Sequence, residues 1–289
     1  MRVVFFGTPE FAVPTLEAVA REHAVALVVA QPDKPAGRGM KMHRPPAVEK
    51  ALELGLEIAQ PPKIRDPAFL ERVHGIAPEA AVVIAYGKIL PKALLDIPRQ
   101  GFLNVHASIL PKYRGAAPIQ RVIEAGEEIT GVTIMRVDEE LDHGPMLAAE
   151  TIAIGPDEHA PSVSRRLSQL GADLLVRTLR DLRPGHPQDH SQATYAPKIE
   201  KREGLVTFDE SAENIYNRFR AFDPWPGVFF ESGDETIKIL DMSLEGEGWP
   251  VAVRDGTIRL ITLQRPAKPK AAATDIARGL GWRAGAARP

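Results

Sequence analysis

Cysteine is absent from the 289 residues. That excludes disulfides, thiolate catalysis and thiolate-held zinc, and it fits a reducing cytosol. No apolar run approaches the roughly 20 residues that span a bilayer. The opening Met1-Arg2-Val3-Val4-Phe5-Phe6-Gly7 is too short for a secretory signal and lacks a small-residue cleavage pattern. Excess charge is also missing, because the formal net charge is −2. Any polyanionic partner must therefore be met by local patches. No internal repeat occurs. No His, Asp and Glu share the tight spacing of a helix-borne metal site such as HExxH. The first strand–turn, Gly7-Thr8-Pro9-Glu10, lacks the GxGxxG fingerprint, which favours a plain tight turn over a dinucleotide site.

What is present is the patterning of a globular chain with 44% apolar and 26% charged residues. Short apolar runs at Val3–Phe6, Val25–Ala30, Leu56–Ala59, Ala80–Ala85 and Gly101–His106 read as buried strands. Helical spacing lies between them at Phe11–Ala20, Ala47–Leu54, Pro67–Val73 and Ile89–Leu95. A helix at Ile119–Ala125, strands at Thr130–Val137 and Met146–Ile154, and a long amphipathic helix at Val163–Leu182 follow. Apolar strands alternating with helices predict an α/β, doubly wound, mostly parallel sheet covered on both faces. Ligands of such sheets bind outside the carboxyl ends of the strands.

Residues 184–203 are rich in Pro, Gly, Ser and Gln and read as a linker. Beyond them come a helix at Ala212–Phe222 and short strands with Gly-Asp and Asp-Gly turns, which predict a small, mainly β domain resembling a partly closed barrel. The expected organisation is 1–183, a linker 184–203, and 204–289.

Asn104 and His106 fall on one face of a strand, because side chains alternate with period two. They lie at its carboxyl end. An amide can donate to a developing oxyanion. An imidazole, with an ordinary pKa of about 6.5, can move a proton near neutrality. Asp142, in Leu141-Asp142-His143-Gly144, would orient the ring if it came near. His143 is a weaker competitor. Each residue alone also suits a structural role, as a turn, a cap or a satisfied core histidine.

Residues 31–44 form a long Gly- and Pro-rich connection carrying Lys34, Arg38, Lys41 and Arg44. Such a loop suits a phosphate-rich partner or is simply solvated. The last residues carry Arg254, Arg259, Arg265, Lys268, Lys270, Arg278, Arg283 and Arg288, a basic excess that fits nucleic-acid backbone or a solvated tail.

These segments together resemble the methionyl-tRNA formyltransferase family. The resemblance rests on Phe6-Gly7-Thr8-Pro9-Glu10-Phe11, on Gln31 to Gly39, on Ala85-Tyr86-Gly87-Lys88-Ile89-Leu90-Pro91, on Asn104 to Pro111, on Tyr113 to Gln120 and on Gly131 to Met135. Asp223-Pro224-Trp225-Pro226 extends it into the second domain. It implies a Rossmann-like formyltransferase domain and an OB-like C-terminal barrel that binds tRNA. It implies formyl transfer from 10-formyltetrahydrofolate, a co-substrate, to the methionine amine of initiator methionyl-tRNA for translation initiation. Asn104, His106 and Asp142 would be catalytic; Ser108, Ile109, Leu110 and Pro111 would hold the folate; Arg38, with Lys34, Lys41 and Arg44, would meet the tRNA. No metal is implied, and the protein is expected to be a cytoplasmic monomer without a membrane partner. Relatives of the same donor chemistry act on sugar nucleotides or on water, and the basic loop and second domain distinguish a tRNA substrate from these. The family's second domain is usually longer, so one hairpin of the barrel is expected to be missing between Leu240 and Val251.

Overall fold

The computed structural model describes residues 1–36 and 41–283. The expected tRNA contact Arg38 and the tail residue Arg288 lie outside the described residues. The chain packs as two compact units: 1–118 with 129–152 and 164–196, and 119–128 with 153–163 and 197 onward.

In chain order the first two-thirds contain β1 (Arg2–Gly7), α1 (Val13–Glu22), β2 (Ala24–Val29), β3 (Lys34–Ala36), β4 (Lys41–His43) and α2 (Pro46–Glu53). Then come β5 (Ile58–Ala59), α3 (Pro67–Ile76), β6 (Ala80–Ile84), α4 (Lys92–Leu95), β7 (Phe102–His106) and β8 (Arg114–Gly115). They are followed by α5 (Pro118–Glu124), β9 (Ile129–Arg136), β10 (Met146–Ala153), α6 (Ala160–Arg180) and β11 (Tyr195–Ala196).

Seven strands make one sheet in the order β10-β9-β7-β6-β1-β2-β5. The pairs from β7 through β6, β1 and β2 to β5 are parallel, and β9 runs antiparallel to β7. Every residue of β6 is buried, as are Val3 to Phe6 of β1. A parallel strand covered on both faces has no solvent side, so it needs apolar residues at every position. Phe6 anchors this core, its ring 5.6 Å from Tyr86 and 5.1 Å from Phe102. Helix α1 turns Leu16 and Val19 inward. Helix α3 starts where the Asp66 carboxylate accepts from the Ala68 N–H, with Pro67 at its first position.

The sheet reverses its strand order between β1 and β6, and the loops leaving the carboxyl ends there are tied together. The Gln31 amide donates to the Tyr86 carbonyl at 2.8 Å, and the Gln31 N–H donates to the Thr8 hydroxyl at 3.3 Å. This edge is where an open α/β sheet receives ligands.

Two stretches differ from their expected character. Within 31–44, β3 and β4 pair as an antiparallel hairpin. In 184–203, His186 bonds to Met146 of β10 through both backbone groups, and β11 pairs in parallel with β8. The segment belongs in part to the first unit because its backbone groups are paired there, which composition does not reveal.

The second unit contains α7 (Ala212–Ala221), β12 (Val228–Ser232), β13 (Glu235–Ser243), β14 (Trp249–Val253), β15 (Gly256–Gln264), β16 (Lys270–Ala272) and α8 (Ala273–Leu280). Ser211 caps α7 by accepting from the Asn214 N–H at 3.1 Å. The strands pair antiparallel in the order β12-β13-β15-β14, with β16 on β15 beyond β14. Phe230, Ile237, Ile239, Ile258 and Leu260 are buried, the alternate positions expected of a one-sided core, and Leu263 is buried past a shift in the β13–β15 register. Also in this unit, Arg121 pairs with Glu124 at 2.8 Å and with Glu203 at 2.7 Å. The Arg121 hydrogen bond holds the Glu203 carboxyl below the usual carboxylate range. Among the described residues no helix is long and apolar enough to cross a membrane.

Candidate active site

Strand β7 delivers Asn104 and His106 to the same face, one pleat apart. Asn104 lies opposite Met135 of β9 and Val83 of β6, and His106 lies opposite Thr133. The following segment closes over the strand end. Thr133 donates its hydroxyl proton to the Ser108 carbonyl at 2.7 Å and accepts from the Leu110 N–H at 3.1 Å. The buried Ser108 hydroxyl donates to the Lys112 carbonyl at 2.7 Å. The Leu110–Pro111 peptide is cis. Of the four expected folate-binding residues, Ser108 and Leu110 are buried, while Ile109 and Pro111 keep exposed surface. The Ser108 side chain is thus occupied in shaping the turn.

Asp142 comes from the loop between β9 and β10 and meets both strand residues. The Asn104 amide donates to one carboxylate oxygen at 3.3 Å. The other oxygen lies 3.6 Å from His106 Nδ1 and accepts from the Gly115 N–H at 2.8 Å. The His106 ring is 5% exposed, and its Nε2 stands 2.9 Å from the Tyr113 carbonyl oxygen. A carbonyl only accepts, so Nε2 carries a proton in this arrangement and Nδ1 faces the carboxylate. An amide nitrogen has two protons. Asp142 takes one from Asn104, which leaves the second to donate to another oxygen.

His143 turns away from this group. Its Nδ1 is 2.7 Å from Asp138 Oδ2, and its ring stacks on His190 at 4.0 Å between centroids. Among the described residues no three His, Asp or Glu side chains are grouped so as to hold a metal ion.

The expected tRNA contacts are spread along the hairpin. Lys34 donates to the Gln31 side-chain oxygen at 2.8 Å, and so reaches back to the tied loops. Lys41 opposes Ala36 in the β4 backbone pairing, and Arg44 is exposed beyond it. Arg38 lies outside the described residues.

Two further residues of the site are not among the candidate site residues that the sequence offers. Gln188, 4% exposed, donates to the backbone carbonyls of Asp142 at 2.9 Å and Gly144 at 2.8 Å. Arg114, also 4% exposed, grips the Gln188 oxygen through Nε at 3.1 Å and Nη2 at 2.6 Å. Nothing in a Pro-Gln dipeptide within a polar stretch announces a buried side chain.

The family model described as formyl transferase matches residues 1–179, and that described as formyl transferase, C-terminal domain, matches residues 198–281. The methionyl-tRNA formyltransferase of Thermus thermophilus is 46% identical over 295 residues, which cover 97% of this chain and 97% of that one. The chain belongs to the methionyl-tRNA formyltransferase family. Between Leu240 and Val251 the chain is strand, turn and strand. Solved structures with the same fold include methionyl-tRNA formyltransferase from Clostridium thermocellum, with a TM-score of 0.63, 17% identity, and coverage of 92% of this chain and 99% of that one. An N-formyltransferase from Helicobacter canadensis, in complex with folinic acid and dTDP-3-aminofucose, gives a TM-score of 0.67 at 16% identity, covering 91% and 99%.

Proposed function

We propose that this enzyme transfers the formyl group of 10-formyltetrahydrofolate to the amino group of methionine on initiator methionyl-tRNA. The observation that carries the proposal is the meeting of Asn104, His106 and Asp142 at the carboxyl edge of the sheet, in a chain 46% identical to a methionyl-tRNA formyltransferase over 97% of both. Formyl transfer needs a neutral amine, a donor for the oxygen that becomes an oxyanion, and a path for the proton the amine loses. The second Asn104 N–H is the donor. His106 Nδ1 and the Asp142 carboxylate, 3.6 Å apart, are the two ends of the proton path. The amine proton passes to this pair, the new carbon–nitrogen bond forms, the bond to the folate nitrogen breaks, and the proton returns to that nitrogen.

Ser108 to Pro111 form the wall for the folate, chiefly through backbone and the exposed faces of Ile109 and Pro111. The fold likeness to an enzyme in complex with folinic acid supports a reduced folate there. Residues 1–183 carry the chemistry in this proposal and residues 204–289 bind tRNA. Lys34, Arg38, Lys41 and Arg44 guide the acceptor end. The enzyme works in the cytoplasm, as a monomer, and no metal takes part.

The test is transfer of labelled formyl from 10-formyltetrahydrofolate, with methionyl-tRNA, a nucleotide-linked amino sugar and water as competing acceptors. Label on methionyl-tRNA is expected. Label on the sugar alone, or formate released at the same rate without an acceptor, would overturn the proposal. His106→Ala should slow the single-turnover step by about 10²–10⁴-fold while folate still binds.

A further inference from the structure

Asp142 adopts a backbone conformation that side chains ordinarily avoid. Its φ is 46°, in the left-handed region, which Asp tolerates better than most residues but still at a cost. The next residues cannot relax the loop. A Cβ added to Gly144 would stand 2.1 Å from the Arg136 carbonyl oxygen, so the chain is pressed against β9 there. Something must hold Asp142 in this shape, because one oxygen of its carboxylate serves both Gly115 and His106.

Gln188 is placed to do so. Two independent pairings fix its segment: His186 on Met146 of β10, and Tyr195 beside Arg114 of β8. Between them its amide uses every bonding function that one planar group offers. Both N–H groups go to carbonyls on either side of His143, and the oxygen receives the Arg114 fork. Arg114 in turn reaches His190 Nδ1 at 2.8 Å. A carboxylate could accept from Arg114 but could not donate to the two carbonyls. Asn would fall one methylene short.

We propose that Gln188 is a positioning residue that sets the Asp142 carboxylate against His106 and Asn104, with Arg114 as the fixed end of the brace. The proposal rests on the reading that Asp142 takes part in proton transfer, but its geometry can be tested apart from that reaction. A misplacement of about 1 Å in a catalytic group can cost about 10²-fold in rate. Gln188 touches no reacting atom, so its loss should fall on the chemical step rather than on substrate binding.

The variant of choice is Gln188→Glu, which keeps the acceptor for Arg114 and sets an acceptor against the Asp142 and Gly144 carbonyls. Gln188→Met, of similar volume and with no amide, stands in if the glutamate variant fails to fold by its unfolding transition. Two readouts are taken on the full-length enzyme. The single-turnover formyl-transfer rate should fall by about 10–100-fold, with KM for both substrates within about threefold of wild type. The Gly115 amide, which donates to the Asp142 carboxylate, should exchange its hydrogen at least about tenfold faster, while Val105 in β7 keeps its protection. Wild-type exchange at Gly115 would overturn the brace whatever the activity. A raised KM with an unchanged rate would also overturn it, making Gln188 a substrate-binding residue. If the wild-type enzyme transfers no formyl group, the proposed function fails, and the exchange measurement still decides the brace.

Discussion

Tyr86 shows how a single polar atom can sit uneasily in a well-filled core. Its ring packs on Phe6 and is 2% exposed, yet its hydroxyl is buried with no hydrogen-bond partner among the described residues. Burial pushes the phenol up to about 12. A buried hydroxyl without a partner loses its hydration and gains nothing in return. Tyr86→Phe keeps the shape and removes that atom, so at pH 8 it should be neutral or stabilising by about 1 kcal/mol. The sign at high pH follows from linkage. The unfolded phenol ionises near 10 and the folded one near 12, so stability is fully present below pH 10 and falls as pH rises towards 12. The phenylalanine variant escapes this loss. Its advantage over wild type in urea unfolding should therefore grow between pH 8 and pH 11. An equal advantage at both values would show that the hydroxyl is solvated.

At the scale of elements, the strands that are buried on both faces are the legible ones. An unbroken apolar run is what a covered parallel strand requires, so Val3–Phe6, Ala80–Ala85 and Gly101–His106 predict β1, β6 and β7 to within a residue or so. Asn104 and His106 are legible as a pair for a related reason, since period two places them on one face at the ligand edge. The approach of Asp142 is not legible, because it depends on a Gly115 N–H and on Gln188, which lies 46 residues further along the chain. The two-residue strands β8 and β11 are equally silent, too short for periodicity to register. Their pairing nonetheless frames the site. Gly115 has φ of 120°, and a Cβ there would lie 2.8 Å from the Ala196 carbonyl oxygen. The Ala116 N–H donates to that same oxygen at 2.9 Å, so it has little room to retreat. Gly115→Ala must break the pairing or strain the backbone, and should cost about 1–3 kcal/mol in denaturant unfolding. Formyl transfer should fall with it, because the Gly115 N–H that holds Asp142 would move. Wild-type stability in this variant would contradict the close approach of β8 and β11.

Across the whole molecule, a formal charge of −2 hides a basic excess late in the chain. Not all of those cations are available to a polyanion. Arg265 forms two hydrogen bonds to Glu235, at 2.6 and 2.7 Å, and Arg278 stands 3.6 Å from Asp275. Arg254, Lys268 and Lys270 are exposed and form no ion pair among the described residues. These three are among the exposed cations of the second unit that can replace the counterions of a phosphate backbone. Each phosphate so neutralised adds a salt-dependent part of affinity, about 0.7–0.9 in the slope of log K against log salt. Replacing the three by alanine should raise KM for methionyl-tRNA by about tenfold or more near physiological salt. It should also reduce that slope by about one for each phosphate left without its cation. KM for the folate should stay unchanged, since the proposed folate wall, Ser108 to Pro111, lies in the first unit. Arg265→Ala is the matched control, because its guanidinium is already occupied by Glu235 and its removal should leave the slope as it was. An unchanged slope in the triple variant would show that these cations are merely solvated, and would move tRNA recognition to Lys34, Arg44 and the rest of the hairpin segment.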